Sequence, residues 1–488
     1  MSLPLPALRD GSTTLSGDDF AARAARLSAV LRATSPRIRV LGLLADNSID
    51  WLVVDRAAAA ARIALVPLPP FFTPAQTAHA LAVSGTDALV TADAATGSVL
   101  GFGDVVPLAG TALVLLRRPV PTSPPLPMGT AKITFTSGTT GAPKGVCLDD
   151  ALQWRVAEGI AHVLRDVPVE RHLCLLPLAV LLENVAGVYA PFVRGATACV
   201  PPVHTGGLKG ASGFDPAACL AAIAAFEAHS VILLPQMLLA LTLAAEQGAR
   251  VPPSLRFAAV GGAKVAPSLV ARARAVGLPA YEGYGLSECA SVVALNVPRS
   301  DKAGTVGRLL PHVRLQAGHD GEIVVRGASF LGYTGQATPR DPEAPLATGD
   351  LGHVDGEGFV HIDGRRKDVL ITAYGRNVSP AWPEAELVTD AHIAQAAVLG
   401  DARPVLCAVL VPRTPAISDA ALASAVAAAN ARLPDYARVG PWMRADEPFT
   451  SANGLATANG RIRHDAVLAH YAPRLDSLYE SLLRHVLP

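Results

Sequence analysis

The chain has 488 residues, and its 41 Lys plus Arg balance its 41 Asp plus Glu, so the formal net charge is zero. Half of the residues are hydrophobic and 17% are charged, which is typical of a packed globular protein and excludes global disorder. Because no basic field favours a polyanion, we expect no nucleic-acid partner and a small-molecule substrate instead.

Longer apolar stretches are interrupted by charges, Gly or Pro before reaching the roughly 18 residues that a membrane span needs. We therefore predict no transmembrane segment and leave only peripheral membrane contact open. The six cysteines are scattered without a Cys-x-x-Cys pair, which indicates buried free thiols. The first residues carry no basic leader with an apolar core, so no secretory signal is expected and a cytoplasmic location is predicted.

The N-terminal part alternates between strand and helix patterns. An apolar run at 38–44, a helix cap at Asn47 and Ser48, and a strand at 63–66 form one βαβ-like passage. A helix at 74–83 and a strand at 88–91 repeat the pattern. This alternation predicts a largely parallel sheet covered by helices.

The pattern changes twice further along the chain. A proline-rich connector at 117–129 precedes a strand at 133–135, and short β-rich runs, including 322–325 and 359–362, fill 304–362. The tail from 366, with a helix at 420–432, looks like a separate small α/β unit. We predict an α/β fold with a large N-terminal domain, residues 1–365, that includes a β-rich subdomain, and a small C-terminal domain, residues 366–488.

A glycine-rich loop directly follows the strand at 133–135. It reads Thr136-Ser137-Gly138-Thr139-Thr140-Gly141-Ala142-Pro143-Lys144-Gly145. Glycines let the backbone approach a ligand, while N–H groups, hydroxyls and the lysine can bind phosphate oxygens. The spacing is not that of a Walker loop, and a flexible surface loop is the alternative for a generic stretch of this composition.

This loop resembles the phosphate loop of the adenylate-forming superfamily, which includes acyl-CoA synthetases, peptide-synthetase adenylation domains and luciferases. Further motifs that resemble those of the family follow in the family's order: Gly261-Gly262-Ala263, Tyr284-Gly285-Leu286-Ser287-Glu288, Thr348-Gly349-Asp350, Gly364-Arg365-Arg366-Lys367-Asp368 and Gly375-Arg376-Asn377. The segment Leu176-Pro177-Leu178-Ala179 with Glu183 resembles that of long-chain fatty acid–CoA ligases. The resemblance covers roughly residues 37–470.

The resemblance implies a site for ATP, Mg²⁺ and either CoA or the phosphopantetheine of a carrier protein. The implied catalytic residues are Lys144, Glu288 and Arg461, with Glu288 holding the metal. The implied nucleotide- and thiol-binding residues are Thr136, Ser137, Gly138, Thr139, Thr140, Gly141, Lys144, Gly261, Gly262, Ala263, Tyr284, Gly285, Ser287, Asp350, Arg365, Lys367 and Gly375. Within that set, Asp350 and Arg365 would bind the ribose, and Lys367 would be the hinge of a mobile C-terminal domain.

Each of these residues also has a purely structural interpretation. Glu288 could be a charge at a helix N-terminus, Tyr284 a half-buried core aromatic, and Asp350 and Gly375 turn residues. The shared order of the motifs favours the functional interpretation.

Two positions depart from the family pattern. Arg461 stands where the family's last motif has lysine, and a planar guanidinium makes different contacts from an ammonium. Val180 stands where the long-chain ligases have histidine. The apolar run 231–239 is consistent with a fatty-acyl channel or with ordinary core.

The sequence therefore predicts ATP-dependent activation of a medium- or long-chain fatty acid to an acyl-adenylate, followed by transfer to CoA. One alternative is a fatty acyl-AMP ligase that loads an acyl carrier protein. Another, from a different class, is a catalytically weakened protein that binds nucleotide or acyl-adenylate.

Overall fold

The computed structural model describes residues 7–11, 13–119, 124–136, 144–210, 213–373, 376–457 and 460–486, with side chains left undescribed at 136, 317, 319, 377 and 480–486. Its helices, in chain order, are α1 Gly17–Ala33, α2 Ile49–Ala61, α3 Pro74–Val83, α4 Ala94–Val99, α5 Asp150–Val163, α6 Ala190–Val193, α7 Pro216–Ala225, α8 Pro235–Glu246, α9 Pro267–Ala275, α10 Ala381–Leu387, α11 Asp419–Asn430 and α12 His464–Val486. A π-helix spans Glu183–Tyr189, and short 3-10 turns include Ser287–Cys289 and Arg366–Asp368.

The strands follow the chain from the N-terminus to the C-terminal unit. They are β1 Ala7–Asp10, β2 Thr13–Ser16, β3 Val40–Leu44, β4 Ala64–Pro67, β5 Ala88–Thr91, β6 Gly103–Pro107, β7 Val114–Arg117, β8 Lys132–Thr136, β9 Lys144–Leu148, β10 Arg171–Leu173, β11 Thr197–Cys199, β12 Leu208–Lys209, β13 Gly213–Phe214, β14 Ser230–Leu233, β15 Phe257–Val260, β16 Ala280–Leu286, β17 Ser291–Leu295, β18 Arg308–Leu309, β19 Arg314–Ala317, β20 Glu322–Arg326, β21 Gly332–Tyr333, β22 Leu346–Val354, β23 Val360–Arg365, β24 Leu370–Ile371, β25 Asn377–Val378, β26 Ile393–Leu399, β27 Leu406–Pro412 and β28 Val439–Arg444.

Two large sheets form the N-terminal part. One has the order β21-β9-β8-β4-β3-β5-β7-β6, and the other has the order β18-β17-β16-β15-β14-β10-β11-β1-β2. The pairs β3·β4, β3·β5, β14·β15 and β15·β16 are parallel, which confirms the predicted parallel core, while the outer strands are antiparallel.

Local capping explains why α2 and α3 begin where the sequence predicts. The Ser48 hydroxyl accepts a hydrogen bond from the Trp51 amide, and Thr73 with Gln76 forms a reciprocal capping box at the start of α3. The helix predicted at 74–83 and the strand predicted at 88–91 match α3 and β5 residue for residue.

A smaller sheet, β19-β20-β22-β23, accounts for the β-rich texture predicted for 304–362. The last part of the chain has its own three-stranded sheet, β26-β27-β28, whose two apolar clusters are built from residues between 378 and 479. The mixed α/β fold predicted from the sequence is thus the fold observed.

All six cysteines are buried and free, as predicted. Within the described ranges, every helix is too short or too polar to cross a bilayer.

Candidate functional site

A buried carboxylate, Asp350, is the best-defined feature of the predicted site. It lies on β22 directly opposite Arg365 on β23, and the residue is only 4% exposed. Asp350 Oδ1 lies 2.7 Å from Arg365 Nε, and Oδ2 accepts a hydrogen bond from the Tyr284 hydroxyl at 2.5 Å. Three residues predicted from separate motifs therefore meet at one point.

The electrostatics of this trio follow from its burial. Burial raises the pKa of Asp350, whereas Arg365 and the Tyr284 hydroxyl oppose that rise. Burial and the neighbouring carboxylate also raise the pKa of Tyr284, so its phenol remains a hydrogen-bond donor at neutral pH. A carboxylate oriented in this way can accept hydrogen bonds from a vicinal diol such as that of ribose.

The backbone beside Tyr284 requires glycine at the next position. A Cβ atom on Gly285 would lie 1.6 Å from the carbonyl oxygen of Ser291 on the antiparallel neighbour β17. The strand pairing also shifts register between Tyr284 and Gly285. This close approach of β16 and β17 leads into the turn that presents Ser287 and Glu288.

Glu288 and Lys144 both contact Tyr333, a residue that belongs to none of the predicted motifs. The Tyr333 hydroxyl donates a hydrogen bond to Glu288 Oε1 at 3.0 Å, and Lys144 Nζ lies 5.6 Å from the centroid of the Tyr333 ring. Pairing of β21 with β9 brings these residues together. A lone tyrosine after a glycine carries no sequence signal for such a role, because the contact depends on that long-range pairing.

The Glu288 carboxylate has the charge and the free oxygen lone pairs needed to bind a metal cation. Its hydrogen-bond donor, Tyr333, is neutral, and Glu288 forms no ion pair within the described part of the chain. Its negative charge and remaining lone pairs are therefore available to a hard cation such as Mg²⁺, which prefers oxygen ligands.

Tyr333→Phe is expected to weaken Mg²⁺ binding about tenfold, because a hydrogen bond to a charged group contributes about 1.5–3 kcal/mol. Calorimetric titration with Mg²⁺ checks this expectation, with Tyr436→Phe, an exposed tyrosine, as control. An unaltered Mg²⁺ affinity would show that Tyr333 does not orient Glu288.

The segment Gly261-Gly262-Ala263 follows β15 directly. The Gly261 amide donates to the carbonyl of Leu233 at 3.2 Å, and Gly262 and Ala263 are exposed. Next to it, the Lys264 ammonium donates to the carbonyl of Ile362 at 2.6 Å, which ties this segment to β23. The segment thus lies beside the strand that carries Arg365.

Arg461 lies in a turn closed by the bridge between Ala456 and Ile462. Its amide donates to the Thr457 hydroxyl at 3.1 Å, and its side chain contacts solvent. Desolvation by the surrounding protein, and then the charge of Arg365, lower the pKa of Arg461, while Asp368 and Asp350 oppose them. The charges of Arg365, Asp368 and Asp350 therefore all act on Arg461.

Of the remaining predicted residues, Lys367 and Thr136 lie in the described part of the chain and the others do not. Lys367 is 45% exposed in the short 3-10 turn, with Nζ 4.0 Å from Asp368 Oδ1. Thr136 ends β8 and pairs with Lys144 across the loop. The residues Ser137, Gly138, Thr139, Thr140, Gly141 and Gly375 lie outside the described residues.

A polar network occupies the segment after Val180. The fully buried Glu183 contacts His172 Nε2 at 3.0 Å and accepts from the Leu176 amide at 2.8 Å, and His172 Nδ1 lies 2.8 Å from the Ser230 hydroxyl. Glu183 is therefore fully engaged in fixing the π-helix to β10 and is not free to bind a substrate amino group.

Some half-buried apolar side chains pack against the large apolar clusters, and one of them lies next to Gly262. Leu182, Ala186 and Ala259 are half-buried and pack against both of the large apolar clusters. Leu234 Cδ2 lies 3.1 Å from the position that a Cβ on Gly262 would take. The run 231–239 is otherwise mostly buried core, with Leu234 as the apolar residue that remains half-buried next to the site.

Two family models match the chain. One described as AMP-binding enzyme matches residues 4–334, and one described as AMP-binding enzyme C-terminal domain matches residues 367–483.

Known proteins resemble the chain to different extents. It is 32% identical over 434 residues to "Feruloyl-CoA synthase" of Amycolatopsis sp, a match that covers 82% of this chain and 83% of that protein. It is 43% identical over 159 residues to "Long-chain-fatty-acid--CoA ligase FadD15" of Mycobacterium bovis, covering 32% of this chain but only 26% of that protein. A crystal structure of the anthranilate CoA ligase AuaEII in complex with anthranoyl-AMP has a TM-score of 0.76 at 19% identity, covering 97% of this chain and 95% of that one, which shows a shared fold.

Proposed function

Since the chain belongs to the AMP-binding enzyme family, we propose that it activates a carboxylic acid with ATP to an acyl-adenylate and then transfers the acyl group to the thiol of CoA. The observation that carries the proposal is the buried Asp350 held between Tyr284 and Arg365. A residue that only formed a turn would not need both of these side-chain partners. A carboxylate held in this way can instead bind the two hydroxyls of a ribose.

In the first half-reaction, a carboxylate oxygen of the acid attacks the α-phosphorus of ATP. An O–P bond forms while the bond from the α-phosphorus to the bridging oxygen breaks, and pyrophosphate leaves. Lys144 would neutralise charge on the phosphates, and Arg461 would contact the α-phosphate and the incoming carboxylate. Magnesium, held by Glu288, would offset negative charge on the triphosphate.

In the second half-reaction, the CoA thiol loses its proton to solvent and the thiolate attacks the acyl carbon. A C–S bond forms, and AMP leaves with the bonding electron pair. In the proposed scheme, which follows the family resemblance, residues 366–488 turn about Lys367 between the two steps, and Gly375 would then bind the thiol substrate. The boundary at 365/366 and this rotation are part of the proposal.

The contacts between α9 and the C-terminal unit support one defined orientation. Arg272 donates to the Thr389 carbonyl at 2.7 Å, and the Ser268 hydroxyl donates to Glu386 Oε2 at 3.0 Å. We propose that this orientation, fixed by those two contacts, is the one used for adenylate formation.

An apolar acid is the proposed substrate class, since the half-buried Leu234 lies next to Gly262, and Leu182 and Ala186 are further half-buried apolar residues packed against the same cluster. The sequence favours a medium- or long-chain fatty acid. An aromatic acid is the second candidate, favoured by the feruloyl-CoA synthase that matches over most of both chains. An acyl carrier protein remains the alternative acceptor.

Turnover assays with ATP, Mg²⁺ and CoA test the proposal, using fatty and aromatic acids in parallel and measuring AMP and thioester. Acyl- or aryl-CoA formed with equal AMP supports it and identifies the acid. AMP and pyrophosphate without thioester would redirect the acceptor to a carrier protein, and no turnover with any acid would contradict the ligase function.

Arg461→Ala is expected to slow adenylate formation about 100-fold, as removal of one electrostatic contact to the reacting charge typically does. Thioester formation from supplied acyl-adenylate should change little, and Arg461→Lys should keep adenylation. Single-turnover assays of each half-reaction measure this, with Arg463→Ala as control. Equal slowing of both half-reactions would contradict the assigned role.

A further inference from the structure

A cavity away from the predicted nucleotide site is lined largely by positive charge. Its volume is about 260 Å³, and its lining residues are Arg155, His312, Arg314, Arg326, Gly327 and Glu343. We name it the arginine cavity. Arg155 comes from α5, while Arg314 and Arg326 come from the neighbouring strands β19 and β20.

Within the described part of the chain, the guanidinium groups of this cavity form no ion pair, although the carboxylate of Glu343 also lines it. Within the described ranges Arg155 and Arg314 have no ion pair or side-chain hydrogen bond, and Arg326 donates only to neutral oxygens, those of the Gln316 amide and the Glu343 carbonyl, both at 3.1 Å. Arg314 and Arg326 also face each other directly across the two strands. Like charges in that position destabilise a sheet unless something neutralises them.

His312 adds unsatisfied polar atoms to the same cavity. Both of its ring nitrogens are buried, and neither has a hydrogen-bond partner among the described residues. The ring is close to α5 because Gly159 has no side chain: a Cβ there would lie 3.0 Å from His312 Nδ1. Burial and the charge of Arg155 lower the pKa of His312 to about 4, so the neutral ring keeps one N–H donor at pH 7.

The arginine cavity is separate from the Asp350 site. Glu322, at the start of β20, pairs with Leu351, the neighbour of Asp350, whereas Arg326 ends the same strand. Four residues of strand at about 3.3 Å each put roughly 13 Å between these two ends. A ligand in the cavity would therefore not occupy the nucleotide site.

We propose that the arginine cavity binds a small, multiply charged oxyanion of the phosphate class. Guanidinium groups match phosphate oxygens in pairs, and a concave cavity of this size suits a compact anion better than the extended surface of an acidic protein. Glu343, which also lines the cavity, sets the requirement that the ligand carry more than one negative charge. The proposal does not depend on the ligase function.

The test uses the full chain saturated with a non-hydrolysable ATP analogue, so that the nucleotide site is occupied. Isothermal titration calorimetry with pyrophosphate and with inorganic phosphate, in separate arms at physiological salt, measures the remaining binding. Wild type is expected to bind one anion per chain, and the double variant Arg155→Gln/Arg314→Gln at least about tenfold more weakly. The anion that binds more tightly, pyrophosphate or inorganic phosphate, identifies which of the two the arginine cavity prefers.

Arg250→Gln, which removes an exposed arginine elsewhere, is the matched control and should bind as wild type does. Thermal melting guards against misfolding: in anion-free buffer the double variant should melt no lower than wild type, because like charges are removed. Added anion should raise the Tm of wild type only. No binding of either anion by wild type, or equal binding by the double variant, would overturn the proposal.

Discussion

Glu288→Gln is expected to lower kcat/KM for adenylate formation by about 100- to 1,000-fold, the range typical of losing one preorganised electrostatic contact to the reacting charge. The substitution keeps the size and the hydrogen-bond acceptor for Tyr333 but removes the negative charge that would hold Mg²⁺. Pyrophosphate release, measured over a range of Mg²⁺ concentrations, should show both a lower rate and a higher Mg²⁺ requirement.

Glu158→Gln provides the control, because it neutralises an exposed carboxylate on α5. It should leave both rate and Mg²⁺ requirement unchanged. If Glu288→Gln released pyrophosphate at the wild-type rate with an unchanged Mg²⁺ requirement, Glu288 would have only a structural role.

Asp350→Asn is expected to raise the KM for ATP by about 10- to 100-fold, since each hydrogen bond to a charged group contributes about 1.5–3 kcal/mol. The variant also loses the ion pair with Arg365. Initial rates over a range of ATP concentrations measure the effect on KM, and calorimetric melting measures any loss of stability.

Asp363→Asn is the matched control, because Asp363 lies on β23 two residues before Arg365 and is 63% exposed. It should change neither quantity. A fall in Tm with an unaltered KM for ATP would mean that Asp350 only supports the β22–β23 pairing and does not bind the ribose.

Local patterns were sufficient to predict many of the elements. The cap at Ser48 and the alternation of short apolar runs with helices predicted α2, α3 and β5, because capping and periodicity act within a few residues. The convergence of Tyr284, Asp350 and Arg365 was expected only through the family resemblance, since no local pattern brings residues so far apart together.

Contacts that depend on long-range pairing could not be derived from the sequence. Tyr333 reaches Glu288 only because β21 pairs with β9. The same holds for a buried ion pair between Lys132 and Asp55, whose atoms lie 2.9 Å apart and which connects β8 with α2. Sequence spacing also gives no sign that Arg155 and Arg314 line one cavity, because α5 and β19 are separated by more than a hundred residues.

Acid-dependent exchange of labelled pyrophosphate into ATP tests adenylate formation most directly, because it needs neither CoA nor a carrier protein. We predict exchange that requires a fatty or aromatic acid and Mg²⁺ and that falls sharply in Glu288→Gln. Absence of exchange with every acid, in wild-type protein that still binds ATP, would contradict adenylate formation and indicate a nucleotide-binding protein without ligase activity.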